Sequence, residues 1–341
     1  MKPLTIIGGG ISGLALGQAL QKEGVPVTLT EKGQYPRHRV CGEFLAGLST
    51  HTLQTLHLEN LLRKGIPAHS VTWFRGDRLL RRYPLPQEVY GLSRYSLDQT
   101  LANHFTEAGG TLQCRQTAQP PKPGTEGVIQ TTGKLSGQSD WLGLKAHYRE
   151  LPITDDLEMH LGEEAYLGLS RVGDGRVNVC GLFRRRRGLR ASRETILPAY
   201  LQACGLESLT KRLATGTVDP DSFCACSGFV FGQPPTPADP GLLRLGDAGG
   251  MIPPFTGNGM TMAFEGAALA LAPMIAYSQG EQSWKEAVQE VQKKQQATFS
   301  GRLRRSLWLQ KMLQTPTTQN LLEYLTRSRL LPFRLLYHLS H

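Results

Sequence analysis

The sequence predicts an open α/β domain, with a mainly antiparallel sheet inserted into it and a helical tail behind it. Three patterns carry that prediction. The first 31 residues read strand, helix, strand, which is a βαβ unit. The middle of the chain changes to short strands punctuated by turn signals. From Gly259 onward apolar residues recur at helical spacing almost throughout.

In order, residues 4–7 form a buried strand, residues 11–20 carry helical apolar spacing, and residues 25–30 return to strand. A helix is expected over residues 53–62, and another from Ser96, where Ser96-Leu97-Asp98-Gln99 has the form of a capping box, to about Ala108. Residues 71–74, 141–148, 166–169 and 177–183 read as strands, with Gly173-Asp174-Gly175 as the hairpin turn between the last two. Residues 223–231 are a further candidate strand, and the Pro-rich segments QPPKPGTEG and QPPTPADPG are loops. The predicted organisation is one discontinuous domain (1–70, 92–140 and 241–285), a second domain (71–91 and 141–240) and C-terminal helices (286–341).

The 341 residues, 40% hydrophobic and only 19% charged, suffice for a large core and argue against wholesale disorder. Lys and Arg number 38 against 28 Asp and Glu, a formal charge of +10. That excess suits an anionic partner, either a phosphate-bearing carrier or a membrane surface. No nucleic-acid motif accompanies it, so nucleic acid is not expected. The six cysteines show neither CxxC nor zinc spacing, which fits free thiols and a cytoplasmic location. The N-terminus does not have the form of a signal peptide, and no run of about 18 apolar residues predicts a membrane span.

Gly8-Gly9-Gly10-Ile11-Ser12-Gly13 matches GxGxxG between strand and helix, the phosphate loop of a Rossmann-like domain. Gly8 permits the tight turn, Gly10 lets the backbone approach a pyrophosphate, and Gly13 lets helix pack on strand. Ser12 lies at the helix N-terminus, where free N–H groups favour anions. Glu31, with Lys32 beside it, ends the second strand 18 residues after Gly13, in register to accept the ribose hydroxyls of an adenosine. This motif alone suits FAD or NAD.

A second motif, Gly246-Asp247-Ala248 through Pro254-Phe255-Thr256-Gly257-Asn258-Gly259-Met260, follows a strand and opens a long helix. An Asp at a strand end can bind a ribityl hydroxyl. A Gly-x-Gly turn at a helix start presents N–H groups that stabilise negative charge on a reduced flavin. FAD is therefore the expected cofactor.

The second motif resembles the GDAxxxxxPxxGxG segment of group A flavoprotein monooxygenases and geranylgeranyl reductases, with Asp247, Pro254, Gly257 and Gly259 on the family positions. Gly250 stands where hydroxylases commonly carry His, and Thr261 where Asn is common, both leaning toward the reductase-like branch. Arg37-His38-Arg39-Val40-Cys41-Gly42-Glu43 is similar to a basic-then-CGE segment of that branch. The resemblance implies Arg39 near the pyrophosphate, and Cys41 and Glu43 near the isoalloxazine. Arg94 with Asp98 resembles the segment that opens the helix under the flavin. The family's DGxxS motif is matched only by Thr132-Gly133-Lys134-Leu135-Ser136, without its Asp. No second GxGxxG is present, so NADPH or NADH is expected as electron donor by resemblance only. The YxWxFP and WxWxIP signatures are absent.

Three catalytic candidates emerge: Cys41, Glu43 and His147, each against a purely structural alternative. His147 shares a strand face with Lys145 and Trp141. Cys180 reads as packing, and Cys224 with Cys226 as a same-face pair. The basic run at 184–187, with Arg190 and Arg193, is a solvated loop or a dock for an anion. The apolar and basic tail either covers the flavin domain or forms a peripheral membrane face. The expected function is an FAD-dependent oxidoreductase. A monooxygenase acting on a hydrophobic, aromatic or polyketide-like small molecule is the first reading. A reductase of carbon–carbon double bonds in an isoprenoid or polyene is the second, and a flavin-bound partner without turnover is the third.

Overall fold

The computed structural model describes residues 1–135, 137–233 and 240–340. Ser136 of the DGxxS-like stretch, residues 234–239 of the second Pro-rich loop, and His341 lie outside the described residues. The chain begins β1 (Leu4–Ile7), α1 (Ile11–Lys22), β2 (Val27–Glu31), β3 (Phe44–Ala46), α2 (Thr50–Thr55), β4 (Ile66–Arg75), β5 (Arg78–Gly91) and α3 (Arg94–Glu107). It continues β6 (Thr111–Cys114), β7 (Val128–Gln130), β8 (Trp141–Arg149), β9 (Leu157–Gly162), β10 (Ala165–Arg171), β11 (Arg176–Arg184), α4 (Ile196–Ala203), α5 (Glu207–Leu213) and β12 (Thr217–Ser227). It ends β13 (Leu243–Arg244), α6 (Gly259–Gln279), α7 (Trp284–Gln314), α8 (Pro316–Arg327) and α9 (Phe333–Ser340).

The first sheet has the order β13-β7-β1-β2-β6, all parallel. Parallel strands are covered on both faces, so their sequences are short apolar runs. Leu4, Ile6, Leu29 and Ile129 are accordingly buried against α1, α3 and α6 through Leu14, Leu20, Phe105 and Phe264. Gly8 takes φ 108°, and a Cβ there would collide with the backbone of Thr131. A Cβ on Gly13 would collide with the Gly8 carbonyl oxygen, which is why the helix can start so close to the strand.

The second sheet runs β12-β8-β11-β10-β9-β4-β5-β3. It is antiparallel except where β4 pairs parallel with β9, so the predicted antiparallel sheet is mixed at one junction. It takes in β3 and all of β4, and thus begins earlier in the chain than residue 71. Strand alternation gives the sheet two faces. Leu144, Ala146, Leu167, Val179 and Phe183 pack under α4 and α5. The opposite parity on β8 places Lys145 and His147 on the face toward the first domain.

Several boundaries differ from the sequence expectation. The helix expected over 53–62 is only α2, whose N-cap Ser49 accepts from the Thr52 N–H; a 3₁₀ turn follows at Leu61–Lys64. His57 takes φ 53° between them, which ends the helix. α3 starts at Arg94 rather than Ser96, because the Ser93 hydroxyl accepts from the Tyr95 N–H; the Ser96 hydroxyl instead donates to the Ser93 carbonyl. The strand expected at 223–231 is β12, displaced toward the N-terminus to pair with β8 around a register shift between Asp219 and Cys224. β5 was hidden by Pro84 and Pro86, and β9, α4 and α5 by their shortness.

The tail does not simply cover the first domain. Trp284, Val288 and Val291 of α7 join the first core, whereas Leu313, Leu322, Leu331 and Phe333 join the apolar face of the second sheet. Trp308, Tyr324, Leu330 and Leu335 remain exposed. α6 is, by length and composition alone, sufficient to cross a membrane, although no such run was expected; here it packs between α1 and α7 and is mostly buried.

Candidate cofactor cavity and active site

A cavity of about 650 Å³ lies between the two sheets. Gly8, Gly10, Ser12, Glu31, Lys32, Arg39, Arg94, Asp247, Pro254, Gly257, Gly259 and Met260 all line it, so residues from both sequence motifs share one space. Gly13 does not line it; its place is the packing of α1 on β1. Cys41 and Glu43 are also in the wall, whereas His147 lies behind Glu43, fully buried.

At the β1–α1 end, Gly10 is the N-cap of α1, and a Cβ there would meet nothing within 4 Å. Its Cα thus faces open space at a helix N-terminus, a cradle for an anion. Arg39 completes it: its Nε is buried with no partner among the described residues. Burial, then the charges of Arg37 and Arg94, pull the Arg39 pKa below its ordinary value, so an anion would stabilise it.

Glu31 accepts from the N–H groups of Gly9 and Gly33, each at 2.7 Å, and pairs with Arg37. Burial alone would raise its pKa, but Arg37 and the two backbone donors hold it at about 2. Asp247 is exposed and lines both this cavity and a neighbouring pocket of about 300 Å³ beside α7. Burial raises its carboxyl pKa, opposed by Arg94 and Arg39. Gly257 takes φ 73°, and a Cβ there would strike the Phe44 ring. Thr261, in place of the common Asn, donates to the Ala46 carbonyl at 2.6 Å and ties α6 to β3.

The Cys41-Gly42-Glu43 segment crosses from one domain to the other. Its carbonyls accept from Asn178 at 3.0 and 2.8 Å and from Ser170 at 2.9 Å. Burial pushes the Cys41 thiol up, which makes it a poor nucleophile. Glu43 takes φ 54°, a left-handed backbone that costs a non-glycine residue about 1–3 kcal/mol. What holds it there is its carboxylate. His147 Nε2 lies 2.5 Å from Oε2, the Arg94 N–H donates to Oε1 at 2.9 Å, and Lys145 Nζ lies 3.4 Å from Oε1. Burial would raise the Glu43 carboxyl, yet the His147 hydrogen bond and the Lys145 charge keep it below its ordinary value. Arg94 itself makes a two-pronged pair with Asp98 at 2.7 and 2.9 Å.

Sequence reasoning missed two members of this cluster. Lys145 is fully buried and stands 2.9 Å from His38 Nδ1. His38 lines the cavity, stacks on Tyr95 with centroids 4.5 Å apart, and meets His147 edge-on at 5.0 Å. The same-face parity of Lys145 with His147 was the available signal. His38, Glu43 and His147 offer ligand atoms within 4.8 Å of one another, but the Lys145 ammonium already supplies the cation between His38 and Glu43.

A parallel Rossmann-type sheet joined to a mixed sheet, with this cavity between them, is the fold shared by FAD-dependent monooxygenases, halogenases and geranylgeranyl-reductase-like proteins. Residues 6–64 match the NAD(P)-binding Rossmann-like domain family. The chain superposes on PqsL of Pseudomonas aeruginosa in complex with 2-aminobenzoylacetate at 16% identity and TM-score 0.74, covering 93% of this chain and 98% of that one. A second structure of PqsL describes it as a "probable FAD-dependent monooxygenase". The fold is equally similar to a geranylgeranyl bacteriochlorophyll reductase-like protein of Thermoplasma acidophilum at 18% identity and TM-score 0.75, covering 95% and 91% of the two chains. The myxobacterial chondrochloren halogenase CndH, a variant FAD-dependent halogenase, matches at 17% and 0.74, covering 93% and 84%. No curated protein matches the chain by sequence.

Proposed function

We propose that this chain is an FAD-dependent oxidoreductase. The observation that carries the reading is one cavity lined by Gly10 at the start of α1, by Arg39, whose Nε is buried with no partner among the described residues, and by Asp247 and the start of α6. The residues fit the cofactor. Gly8, Gly10 and Arg39 would hold the pyrophosphate, Glu31 the adenosine ribose, and Asp247 the ribityl chain. Gly257, Gly259 and Met260 would place the N-terminus of α6 against the ring edge that becomes negative on reduction. When bound, the flavin supplies two-electron redox chemistry. The protein binds it, orients it and screens it from water.

Oxygenation of a hydrophobic small molecule is the first reading of the reaction, supported by the α6 N-terminus, whose free N–H groups would favour negative charge on the adjoining edge of a bound flavin. Reduction of a carbon–carbon double bond is the second, favoured by the buried Glu43–Lys145–His147 cluster beside the cavity, since that chemistry needs a proton. NADPH or NADH is proposed as donor. The distinguishing experiment is anaerobic. Chemically reduced protein is expected to reoxidise only when oxygen is admitted, with a product heavier by one oxygen atom. Reoxidation by an alkene without oxygen overturns the first reading in favour of the second. An intact flavin that no donor reduces would mark a binding protein without turnover.

The basic run is proposed as an anion dock for a carrier or a membrane surface. Arg184 is partly engaged by Glu164 at 3.2 Å, and Arg186 approaches Glu163 at 3.9 Å, while Arg185, Arg187 and Arg190 are exposed. Reversing Arg185, Arg187 and Arg190 to Glu is expected to weaken binding of anionic vesicles and to flatten its salt dependence. Unchanged vesicle co-sedimentation at low salt would leave the run a solvated loop.

A further inference from the structure

Lys145 is fully buried behind the cavity wall and does not itself line the cavity. We propose that Lys145 is the proton-positioning residue of this cavity: it fixes His38 as the neutral tautomer protonated on Nε2 and passes its own proton through that ring to the substrate. The inference rests on the reading of the cavity as a flavin site and on double-bond reduction, the second reading above, as its reaction.

The tautomer follows from chemistry. A lysine ammonium has donors only. With Nζ 2.9 Å from His38 Nδ1, that nitrogen must accept, and the ring proton sits on Nε2. His38 belongs to the cavity wall and Lys145 does not, so His38 is the member that meets a substrate. The ionisable groups around His38 are Lys145 and His147 of β8, Glu43 of the crossing loop, Asp219 of β12 and, stacked on it, Tyr95 of α3. Burial, then the charges of Lys145 and His147, hold His38 down at about 4, so it is neutral at neutral pH. Glu43 balances the ammonium at 3.4 Å and is itself held by His147 and the Arg94 N–H. The far nitrogen of His147, Nδ1, is buried with no partner among the described residues, so the relay does not continue in that direction.

The step balances as follows. In double-bond reduction a bound reduced flavin would supply a hydride to one carbon of the substrate, and the neighbouring carbon would take the proton. The His38 Nε2–H bond breaks as a bond from that proton to the neighbouring carbon forms. A Lys145 N–H bond breaks as the His38 Nδ1–H bond forms. The substrate gains one proton, His38 ends neutral with its tautomer exchanged, and Lys145 is left as an amine, to be reprotonated from water.

The test uses nitrogen NMR of the histidine rings in the FAD-loaded and FAD-free protein, together with turnover. In the wild type His38 is expected to show an acceptor-type Nδ1, a protonated Nε2 and a titration midpoint near 4. In Lys145→Met the midpoint should move up, with burial still holding it below the ordinary imidazole value, and the two tautomers should mix. Both Lys145→Met and His38→Gln should retain FAD and lose kcat by about 100-fold, with KM changed by less than about twofold. A wild-type His38 protonated on Nδ1, or a midpoint unmoved in Lys145→Met, overturns the proposal. If Lys145→Met does not fold, the wild-type tautomer and His38→Gln decide it alone. Absence of FAD binding would overturn the proposed function instead, while the tautomer is still read in the FAD-free protein.

Discussion

Glu43→Gln is expected to destabilise the protein by about 3 kcal/mol or more, because it leaves the Lys145 ammonium buried without its counter-charge. Both side chains are 0% exposed, and the carboxylate serves three donors at once: His147, Lys145 and the Arg94 N–H. A glutamine keeps the volume but offers one acceptor oxygen and no charge. It also has to hold the left-handed backbone at φ 54° with less to anchor it. Chemical unfolding measures the loss. The cause is separated by adding Lys145→Met, which removes the stranded charge. The double variant should be more stable than the sum of the single changes predicts, by about 1–3 kcal/mol. Additive effects, or a single-variant loss below about 1 kcal/mol, would mean the cluster is not held by charge pairing.

The second large effect is expected at Gly10. Gly10→Val should fold with near-normal stability, because φ there is −87° and an added Cβ meets nothing within 4 Å. An N-cap glycine replaced by valine costs at most about 1 kcal/mol. The same side chain would fill the space reserved for the pyrophosphate, so FAD affinity should fall by at least about 100-fold, or about 2.7 kcal/mol. Flavin absorbance after gel filtration gives the readout. Asp247→Ala should weaken FAD less, by removing one ribityl contact. Gly8 and Gly13 are a built-in contrast: a Cβ on either would collide with backbone, so alanine there should damage the fold itself. If Gly10→Val and Asp247→Ala both retained FAD as tightly as the wild type, the cavity would not be the cofactor site.

The two ends of the cofactor cavity were legible because each is a local device. A turn glycine lies just before a helix start, Gly8 before α1 and Gly257 before α6, and the acids sit at strand ends, Glu31 closing β2 and Asp247 following β13. Spacing along the chain is then nearly equivalent to geometry in space, and Gly8, Gly10, Glu31 and Asp247 line one cavity. The same holds for the hairpin at Gly173-Asp174-Gly175, which joins β10 to β11. Cap assignment was less secure, since Ser93 and Ser96 are both competent N-caps and packing selected Ser93.

Other features had no local signature. Glu43, Lys145 and His38 come together only because β8 pairs with β11 and β12 in one register, placing Lys145 opposite Cys180 and Cys224 with its side chain toward the crossing loop. A slip of one residue would turn Lys145 to the other face. Nothing near residue 145 in the chain specifies that register; the apolar partners of Leu144 and Ala146 under α4 and α5 do. The destination of the tail was likewise settled by packing. The apolar residues of α7 show that it must cover something, but only the tertiary structure divides it, with Val288 on the first core and Leu313 on the second sheet. Periodicity identifies which face of an element must be buried. Which distant surface buries it depends on contacts across hundreds of residues, and the buried charge cluster beside the cavity is a product of those contacts.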